Sequence, residues 1–296
     1  MQRTYCMNLN IEPPAGHVVV VGANSRTGRH LLPHLKSISV RVTALVRKFV
    51  NLPADEVLAD WMNNRDALAV LASADAVIVL TGVFAAADWA SYEQGTVATV
   101  QRMADAVRGR QIPVIYFSVT GADPADRNWY LKSKGLAERV FATLPDAVIF
   151  RIQPIVHGGS APTPFENSLL PKLPGGTVRV FGSGTQLRRP LHIDDVVSAA
   201  LAAVRRVGPK GTYTLGGPDE HSLIELVKLA NGHDVPIQLV PTEVVESLPV
   251  PASIVADLMS RMTRAIGAEE TAAVFNLHLT PLSYIWPLSS TDRKGA

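Results

Sequence analysis

A tyrosine and a lysine four residues apart are the pair in this chain best suited to proton-transfer chemistry. Tyr130 and Lys134 form the pattern Y-x-x-x-K, and a helical pattern continues after them. A spacing of four puts both side chains on one face of a helix, one turn apart. A phenol has a pKa of about 10, and a neighbouring ammonium group stabilises the phenolate and lowers that pKa. The pair therefore predicts a proton donor or acceptor, Tyr130, whose pKa Lys134 lowers.

A strand followed by a tight turn and a helix predicts a nucleotide site for this pair to serve. The β-branched run 18–21 leads into a turn of small residues at 22–28, and a helical pattern follows. In such a unit the first glycine makes the turn, the last lets helix and strand pack closely, and free N–H groups face a pyrophosphate. Ser25 replaces the middle glycine of G-x-x-G-x-x-G, so an ordinary strand–helix turn remains an alternative. The residues expected to contact the cofactor here are Gly22, Asn24, Ser25, Arg26, Thr27 and Gly28.

The end of the second strand indicates which dinucleotide binds. The strand-like run 41–46 ends in Arg47 and Lys48, and no acidic residue occurs between Glu12 and Asp55. A site that prefers NAD places an acidic residue at this position to bind the adenosine ribose. If Arg26 converges with Arg47 and Lys48, the three cations suit a 2′-phosphate. NADP(H) is therefore expected in preference to NAD(H), with solvated surface charge as the alternative.

The order of elements predicts an α/β fold with a Rossmann-type, doubly wound parallel sheet. Strand-like runs at 17–22, 40–46, 75–81 and 112–118 alternate with helical patterns. After Gln153 the chain becomes rich in proline and glycine, and its elements become shorter. We therefore expect a flexible N-terminal tail at 1–16, an NAD(P)-binding domain at 17–153, and a smaller substrate-binding lobe at 154–296 that is interleaved with it.

Composition limits the classes of partner and compartment. The 296 residues are 47% hydrophobic and 18% charged, with a net charge of +2, so we expect neither nucleic acid nor a membrane span. With one cysteine and no secretory signal pattern, the chain is expected to be cytoplasmic. A small-molecule substrate and a monomer or homodimer are expected. His30 and His34 have a spacing that can bind metal, but no acidic residue accompanies them in the sequence, and no metal site is predicted.

An ordered set of segments resembles a known family, the short-chain dehydrogenase/reductase superfamily in its atypical or extended branch. The likeness extends over roughly 17–240 and is greatest to NAD(P)H-binding proteins such as the nucleotide-binding accessory subunit of respiratory complex I and NmrA-like proteins. The segments that carry it are 22–28, 59–61, 74–82, 115–123, 129–138, 145–151, 190–196 and 213–218.

The resemblance implies roles for individual residues. Tyr130 would donate or accept the proton, and Lys134 would hold the nicotinamide ribose. Further cofactor contacts would come from Asp60 and Trp61 near the adenine, Thr81 and Gly82 beside the ribose, and Pro154 and Ile155 beside the nicotinamide. The family often has two adjacent serines at the end of the fifth strand, whereas this chain has Ser118 followed by Val119. Either Ser118 or Thr120 would then polarise the substrate oxygen.

These residues together predict an NADPH-dependent oxidoreductase that reduces the carbonyl group of a small, fairly apolar substrate, such as a natural-product ketone. One alternative is a non-catalytic NADP(H)-binding sensor, assembly factor or accessory subunit. A second alternative is a nucleotide-sugar epimerase or dehydratase. The apolar residues expected near the substrate cleft are Phe84, Trp89, Phe165, Leu169, Leu170 and Leu187.

Overall fold

A computed structural model describes residues 16–159 and 161–286, and its centre is a parallel sheet of seven strands. Of the expected N-terminal tail at 1–16, all but Gly16 lies outside the described residues. The strands are β1 (His17–Val21), β2 (Arg41–Leu45), β3 (Glu56–Leu58), β4 (Ala76–Val79), β5 (Val114–Val119), β6 (Ala147–Ile152), β7 (Ile155–Val156), β8 (Val178–Phe181), β9 (Leu187–Arg188), β10 (Leu191–His192), β11 (Gly211–Leu215), β12 (His221–Ser222) and β13 (Ile237–Val240).

Helices cover both faces of the sheet and build most of the second lobe. Between α3 and α4 the helix continues as a π-helical segment, Glu93–Ala98. The α-helices are α1 (Arg26–Ser37), α2 (Arg65–Ser73), α3 (Trp89–Tyr92), α4 (Thr99–Ala106), α5 (Trp129–Phe141), α6 (Pro164–Ser168), α7 (Ile193–Val204), α8 (Leu223–Asn231), α9 (Ala252–Ser260) and α10 (Ala268–Val274).

The sheet order is β11-β6-β5-β4-β1-β2-β3, and every neighbouring pair is parallel. Alternate residues of β1 face opposite sides, so Val18 and Val20 pack in one apolar cluster with α1 and α7, while Val19 and Val21 pack in the other with α2, α4 and α5. Parallel strands with both faces buried are continuous apolar runs, as the central strands β1 and β4 nearly are. The predicted doubly wound α/β fold is confirmed.

The strand order reverses between β1 and β4, which places the site. In an open sheet of this kind, the loops at the carboxyl ends of the strands on either side of such a reversal enclose a crevice that binds ligands. The loops after β1, β4 and β5 carry 22–28, Thr81 and Thr120, so the fold brings the predicted site residues to one edge.

The smaller lobe consists of short elements around its own apolar cluster. Three two-stranded sheets, β7–β10, β9–β12 and β8–β13, pack with α6 and α8. The chain does not stay in this lobe after Gln153, because α7 covers the main sheet and β11 is its edge strand. The short strand β3, which the sequence pattern did not indicate, lies at the opposite edge.

Candidate active site

The turn after β1 has the geometry of an anion site at a helix N-terminus. Gly22 adopts a positive φ of 79°, and a Cβ on Gly28 would lie 2.3 Å from the carbonyl oxygen of Ala23. Ser25 caps α1, because its hydroxyl accepts from the Gly28 N–H at 3.0 Å. Among the described residues no group accepts from the N–H of Arg26 or Thr27. Unpaired N–H groups at the start of a helix are suited to a pyrophosphate.

Arg26 does not join the two cations after β2, contrary to the expectation. Its guanidinium donates to the carbonyls of Ala161 at 2.6 Å and Pro162 at 3.0 Å. The first residue of α1 thus holds the loop that precedes α6 and lines the cavity beside Tyr130. The first turn of α1 lies between β1 and this loop, so the Arg26 side chain reaches the loop. The sequence alone does not show that these two segments are neighbours.

The residues expected around the adenosine half of the cofactor divide into exposed and buried ones. Arg47 and Lys48 are exposed, and neither has an ion pair in the described residues. Asp60 is exposed as well, and its N–H donates to the Arg47 carbonyl at 3.2 Å. Trp61 is only 1% exposed and packs in the core with Leu71. Its indole is therefore closed to an adenine, and the expectation for this side chain is corrected.

Tyr130 is the second residue of α5, and Asn128 caps that helix. The Tyr130 ring is half-buried and meets Phe84 edge to face, with ring centroids 5.2 Å apart. In the described part of the chain nothing hydrogen-bonds to its hydroxyl. Burial raises the pKa of Tyr130 to about 12, and Tyr92 adds to the effect.

Lys134 lies one turn further along α5 and is buried. Its ammonium donates to the Phe117 carbonyl at 2.9 Å and lies 4.7 Å from the centre of the Tyr116 ring. Burial lowers the pKa of Lys134 to about 8. The expected lowering of the Tyr130 pKa by Lys134 is not found, because this ammonium is directed at Phe117 and desolvation dominates at the phenol.

A polar recess of about 160 Å³ joins Tyr130 and Lys134 to the strand ends. Two hydroxyls of this recess, Thr81 Oγ1 and Ser118 Oγ, are buried and have no hydrogen-bond partner. A Cβ on Gly82 would come within 3.1 Å of the Lys134 Nζ, so glycine keeps this wall open. Unpaired buried hydroxyls are rare in proteins, and a ribose or a carboxamide would satisfy them. The recess therefore fits the nicotinamide half of a dinucleotide.

Thr120 differs from Ser118 in what its hydroxyl contacts. Thr120 Oγ1 donates to the carbonyls of Arg151 at 3.4 Å and Ile152 at 3.3 Å. Ser118 lines the polar recess, and its Oγ is buried without a hydrogen-bond partner. The geometry thus favours Ser118 as the second hydroxyl group available to a ligand.

An apolar cavity of about 470 Å³ lies next to the polar recess, and both are bounded by Tyr130 and Phe84. Of the residues expected near the cleft, Phe84 and Phe165 line this cavity, whereas Trp89, Leu169, Leu170 and Leu187 do not. Its apolar wall comprises Phe84, Val119, Leu131, Ile152, Pro154, Ile155, Phe165, Val255, Leu258 and Met259. The last three lie on α9, whose role the sequence did not indicate.

One of the two histidines on α1, His30, pairs with an acid that the sequence did not place beside it. The His30 Nε2 contacts the carboxylate of Asp194, at the start of α7, and this hydrogen bond holds the pKa of Asp194 below its usual value. Within residues 16–159 and 161–286 no group of three or more His, Cys, Asp and Glu is arranged to hold a metal ion. His30 and Asp194 therefore join α1 to α7.

Comparison with known protein families identifies the nucleotide-binding part of the chain. The model of a family described as NAD(P)H-binding matches residues 22–143. This range contains the turn after β1, most of the residues that line the polar recess, and both Tyr130 and Lys134. Residues 22–143 are similar to that family, and on the basis of this similarity we call them the NAD(P)H-binding domain.

A curated relative extends the similarity beyond the NAD(P)H-binding domain. The chain is 27% identical over 226 residues to NADH dehydrogenase (ubiquinone) 1 alpha subcomplex subunit 9, mitochondrial, of Arabidopsis thaliana, which is 71% of this chain. The chain spans 56% of the length of that relative. No helix in the described residues is long and apolar enough to cross a membrane.

Solved structures share the fold of the NAD(P)H-binding domain and of the second lobe. MoeE5 in complex with UDP-glucuronic acid and NAD has a TM-score of 0.67 at 21% identity, covering 94% of this chain and 100% of that one. The epimerase Mth375 of Methanothermobacter thermautotrophicus has a TM-score of 0.68 at 16% identity, covering 94% and 91%. These structures show the shared fold, while the family-model match and the curated relative confirm the predicted resemblance to NAD(P)H-binding proteins.

Proposed function

We propose that the protein is an NADPH-dependent reductase of a small, fairly apolar carbonyl compound. The observation that carries this proposal is the Tyr130 hydroxyl, which has no hydrogen bond in the described residues and lies where the polar recess meets the apolar cavity. A nicotinamide fits the recess and an apolar ketone fits the cavity, so the hydroxyl would lie between cofactor and substrate.

The nicotinamide, when bound, supplies a hydride to the carbonyl carbon of the substrate. Tyr130 would give its hydroxyl proton to the carbonyl oxygen, so that the carbonyl becomes an alcohol and the phenolate recovers its proton from solvent. Ser118 would donate a hydrogen bond to the same oxygen as negative charge develops there. Lys134 and Thr81 would bind the ribose hydroxyls, and the free N–H groups of α1 would bind the pyrophosphate.

The pKa of Tyr130 supports the direction of reduction. Burial raises this pKa to about 12, so the hydroxyl stays protonated at neutral pH and is ready to donate. An enzyme that oxidises an alcohol needs the phenolate instead, and burial disfavours that form.

A nucleotide-sugar substrate is less well supported by the cavity than an apolar ketone. A sugar nucleotide carries many hydroxyls and a diphosphate, all of which need partners when buried. Arg188, the buried arginine on the cavity wall, already donates to the carbonyls of Leu187, Leu258, Met259 and Arg261. Arg47 and Lys48 in place of an acidic residue also favour NADP(H) over NAD, which MoeE5 binds in its solved complex.

A non-catalytic NADP(H)-binding protein is the second candidate, and Val119 favours it. Valine at this position lacks a hydroxyl that reductases of the family that the chain resembles often use, and the curated relative is named as a subunit of NADH dehydrogenase. An assay of NADPH turnover separates the two candidates, because a protein that only binds NADP(H) does not need the Tyr130 hydroxyl.

The test is NADPH oxidation, followed by its absorbance, with a panel of aryl and cyclic ketones. We expect the wild type to reduce some of them and Tyr130→Phe to lose about a hundredfold or more of that rate, with the Kd for NADPH changed by less than about twofold. Tyr213→Phe is the matched control, because its hydroxyl donates to the carbonyls of Pro209 and Lys210, outside the site. Tight NADPH binding without reduction of any ketone would favour the binding protein.

A further inference from the structure

One side chain connects the helix of Tyr130 to the helix that lines the apolar cavity. Asn128 is 3% exposed, and its Oδ1 accepts from the N–H groups of Tyr130 at 3.1 Å and Leu131 at 3.4 Å. Its Nδ2 donates to the Ile254 carbonyl at 3.1 Å and the Asp257 carboxylate at 2.7 Å, both on α9. Asn128 thus caps α5 and bonds to α9 at the same time.

Arg261 completes a ring of charged groups around this contact. Its guanidinium donates to both carboxylate oxygens of Asp126, at 2.6 and 3.0 Å, and its Nε donates to Asp257 at 2.8 Å. Asp126 in turn accepts from the N–H of Asn128 at 2.7 Å. We call these four residues, Asp126, Asn128, Asp257 and Arg261, the α5–α9 clamp. A two-point arginine–carboxylate contact fixes orientation as well as distance.

The helix held by the clamp is also a wall of the candidate substrate site. Val255, Leu258 and Met259 of α9 line the apolar cavity together with Tyr130, and Arg261 lines it just beyond the helix. The substrate would therefore touch α9 on one side and the hydroxyl of α5 on another. Because proton transfer is sensitive to displacements of about 1 Å, the relative position of these two helices decides whether a bound carbonyl is reduced.

We propose that the α5–α9 clamp positions Tyr130 relative to the substrate, so that its four members are positioning residues of the reaction. This inference rests on the proposed function. The clamp sets the distance between the wall that holds the substrate body and the hydroxyl that gives the proton. It does not touch the residues expected to bind the cofactor, so it acts on turnover and not on NADPH affinity.

The decisive variants are Arg261→Met, which removes the guanidinium, and Arg261→Lys, which keeps one cation for Asp126. We expect Arg261→Met to lower kcat/KM about tenfold to a hundredfold and Arg261→Lys to restore part of the loss. The Kd for NADPH should change by less than about twofold in both. With a small ketone that does not reach α9, Arg261→Met should lower kcat with little change in KM. With a ketone that fills the cavity, it should lower kcat and raise KM. A general loss of stability would affect both ketones alike.

Arg127→Met is the matched control. Arg127 precedes Asn128 directly, but its side chain is exposed and pairs only with Glu246, at 2.7 Å. Arg127→Met removes one positive charge beside the start of α5 without touching the clamp, so its kinetics should equal those of the wild type. If Arg261→Met does not fold, Asp126→Asn weakens the same contact and takes its place.

Hydrogen exchange gives a second reading that needs no turnover. The amides of Tyr130 and Leu131, which bond to Asn128, should exchange faster in Arg261→Met, while those of Leu31 and Leu32 on α1 should not change. If the wild type reduces no ketone but this change is seen, the proposed function fails and the mechanical coupling of the two helices stands. If Arg261→Met leaves the exchange of these two amides unchanged, or leaves the kinetics of an active protein unchanged, the proposed role of the α5–α9 clamp is wrong.

Discussion

At the scale of single residues, the structure separates the two hydroxyls that the sequence could not. Ser118 Oγ is buried without a partner, whereas Thr120 Oγ1 already donates to backbone carbonyls. Ser118→Ala should therefore lower kcat about tenfold to a hundredfold, since a donor to the developing alkoxide is lost. Thr120→Val, a substitution of similar size, should change kcat less than about threefold. Steady-state kinetics with one ketone decides it, and the reverse order of effects would assign the role to Thr120.

Lys134 gives a second prediction at this scale, in the dependence of stability on pH. Burial lowers its pKa to about 8, whereas an unfolded lysine titrates at about 10.4. Between these values the unfolded chain binds more protons, so Lys134 makes the free energy of unfolding rise with pH in this window. Lys134→Met removes that dependence and should be more stable than the wild type at pH 7 by about 1–3 kcal/mol.

The measurement for Lys134 is denaturant unfolding at several pH values from neutral to about 10.5. The advantage of Lys134→Met should shrink as pH rises. Lys210→Met, at an exposed lysine, is the control and should follow the wild type throughout. An advantage that is independent of pH would mean that the Lys134 ammonium is not destabilised by burial.

Sequence spacing identified the residue types of the site but not the direction of every side chain. Helix period predicted that Tyr130 and Lys134 lie on one face, and the family resemblance implied the roles of Thr81 and Ser118 at the neighbouring strand ends. Arg26 and Trp61 could not be assigned in this way. The direction of the Arg26 side chain depends on a loop 135 residues away in the sequence. The direction of the Trp61 side chain depends on the core packing under the loop after β3.

At the scale of elements, α9 is the part that the sequence pattern left without a role. Arg188 of β9 is 3% exposed and donates to the carbonyls of Leu258, Met259 and Arg261, at the end of α9. Without the Arg188 guanidinium, these buried carbonyl groups lose their hydrogen-bond donor. Arg188→Met should therefore lower the free energy of unfolding by about 2–4 kcal/mol.

The control for Arg188 lies on the neighbouring strand β8. Arg179 is exposed, and in the described residues it has no ion pair or hydrogen bond. Arg179→Met should change stability by less than about 0.5 kcal/mol. Denaturant unfolding measures both variants, and equal effects would show that Arg188 does not hold α9.

The main sheet could be predicted from its strands, whereas the second lobe could not. Buried parallel strands such as β1 and β4 are continuous apolar runs, and their pattern is visible in any sequence. The helix α9 depends on contacts of single side chains, Arg188 and Asn128, with carbonyls far away along the chain. Such contacts have no local signature.

At the scale of the whole molecule, the net charge of +2 gives no preference for a cofactor, whereas we expect the distribution of charge to favour NADPH over NADH. Arg47 and Lys48 stand unpaired at the end of β2, at the edge where the adenosine ribose would lie. Two charge-assisted contacts of about 1.5–3 kcal/mol each should make NADPH bind at least about tenfold more tightly than NADH. Arg47→Asp should reverse this preference.

Thermal shift with each cofactor measures this preference through the whole fold, because a ligand stabilises the state that binds it. Lys210→Asp is the control. It changes charge by the same amount in the exposed loop before β11, at the opposite edge of the sheet, and should keep the preference of the wild type. Equal shifts with NADPH and NADH in the wild type would contradict the role of the two cations.

The central claim is that the NAD(P)H-binding domain and the apolar cavity together reduce a carbonyl compound with Tyr130 as proton donor. The measurement that tests it most directly is a single turnover with NADPH in which both hydrogens at the nicotinamide C4 are replaced by deuterium, the product being analysed by mass spectrometry. We predict one deuterium on the former carbonyl carbon with the wild type, and none in the same time with Tyr130→Phe loaded with the same amount of NADPH. Tightly bound NADPH that transfers no deuterium to any ketone of the panel, or transfer by Tyr130→Phe at the wild-type rate, would contradict the claim.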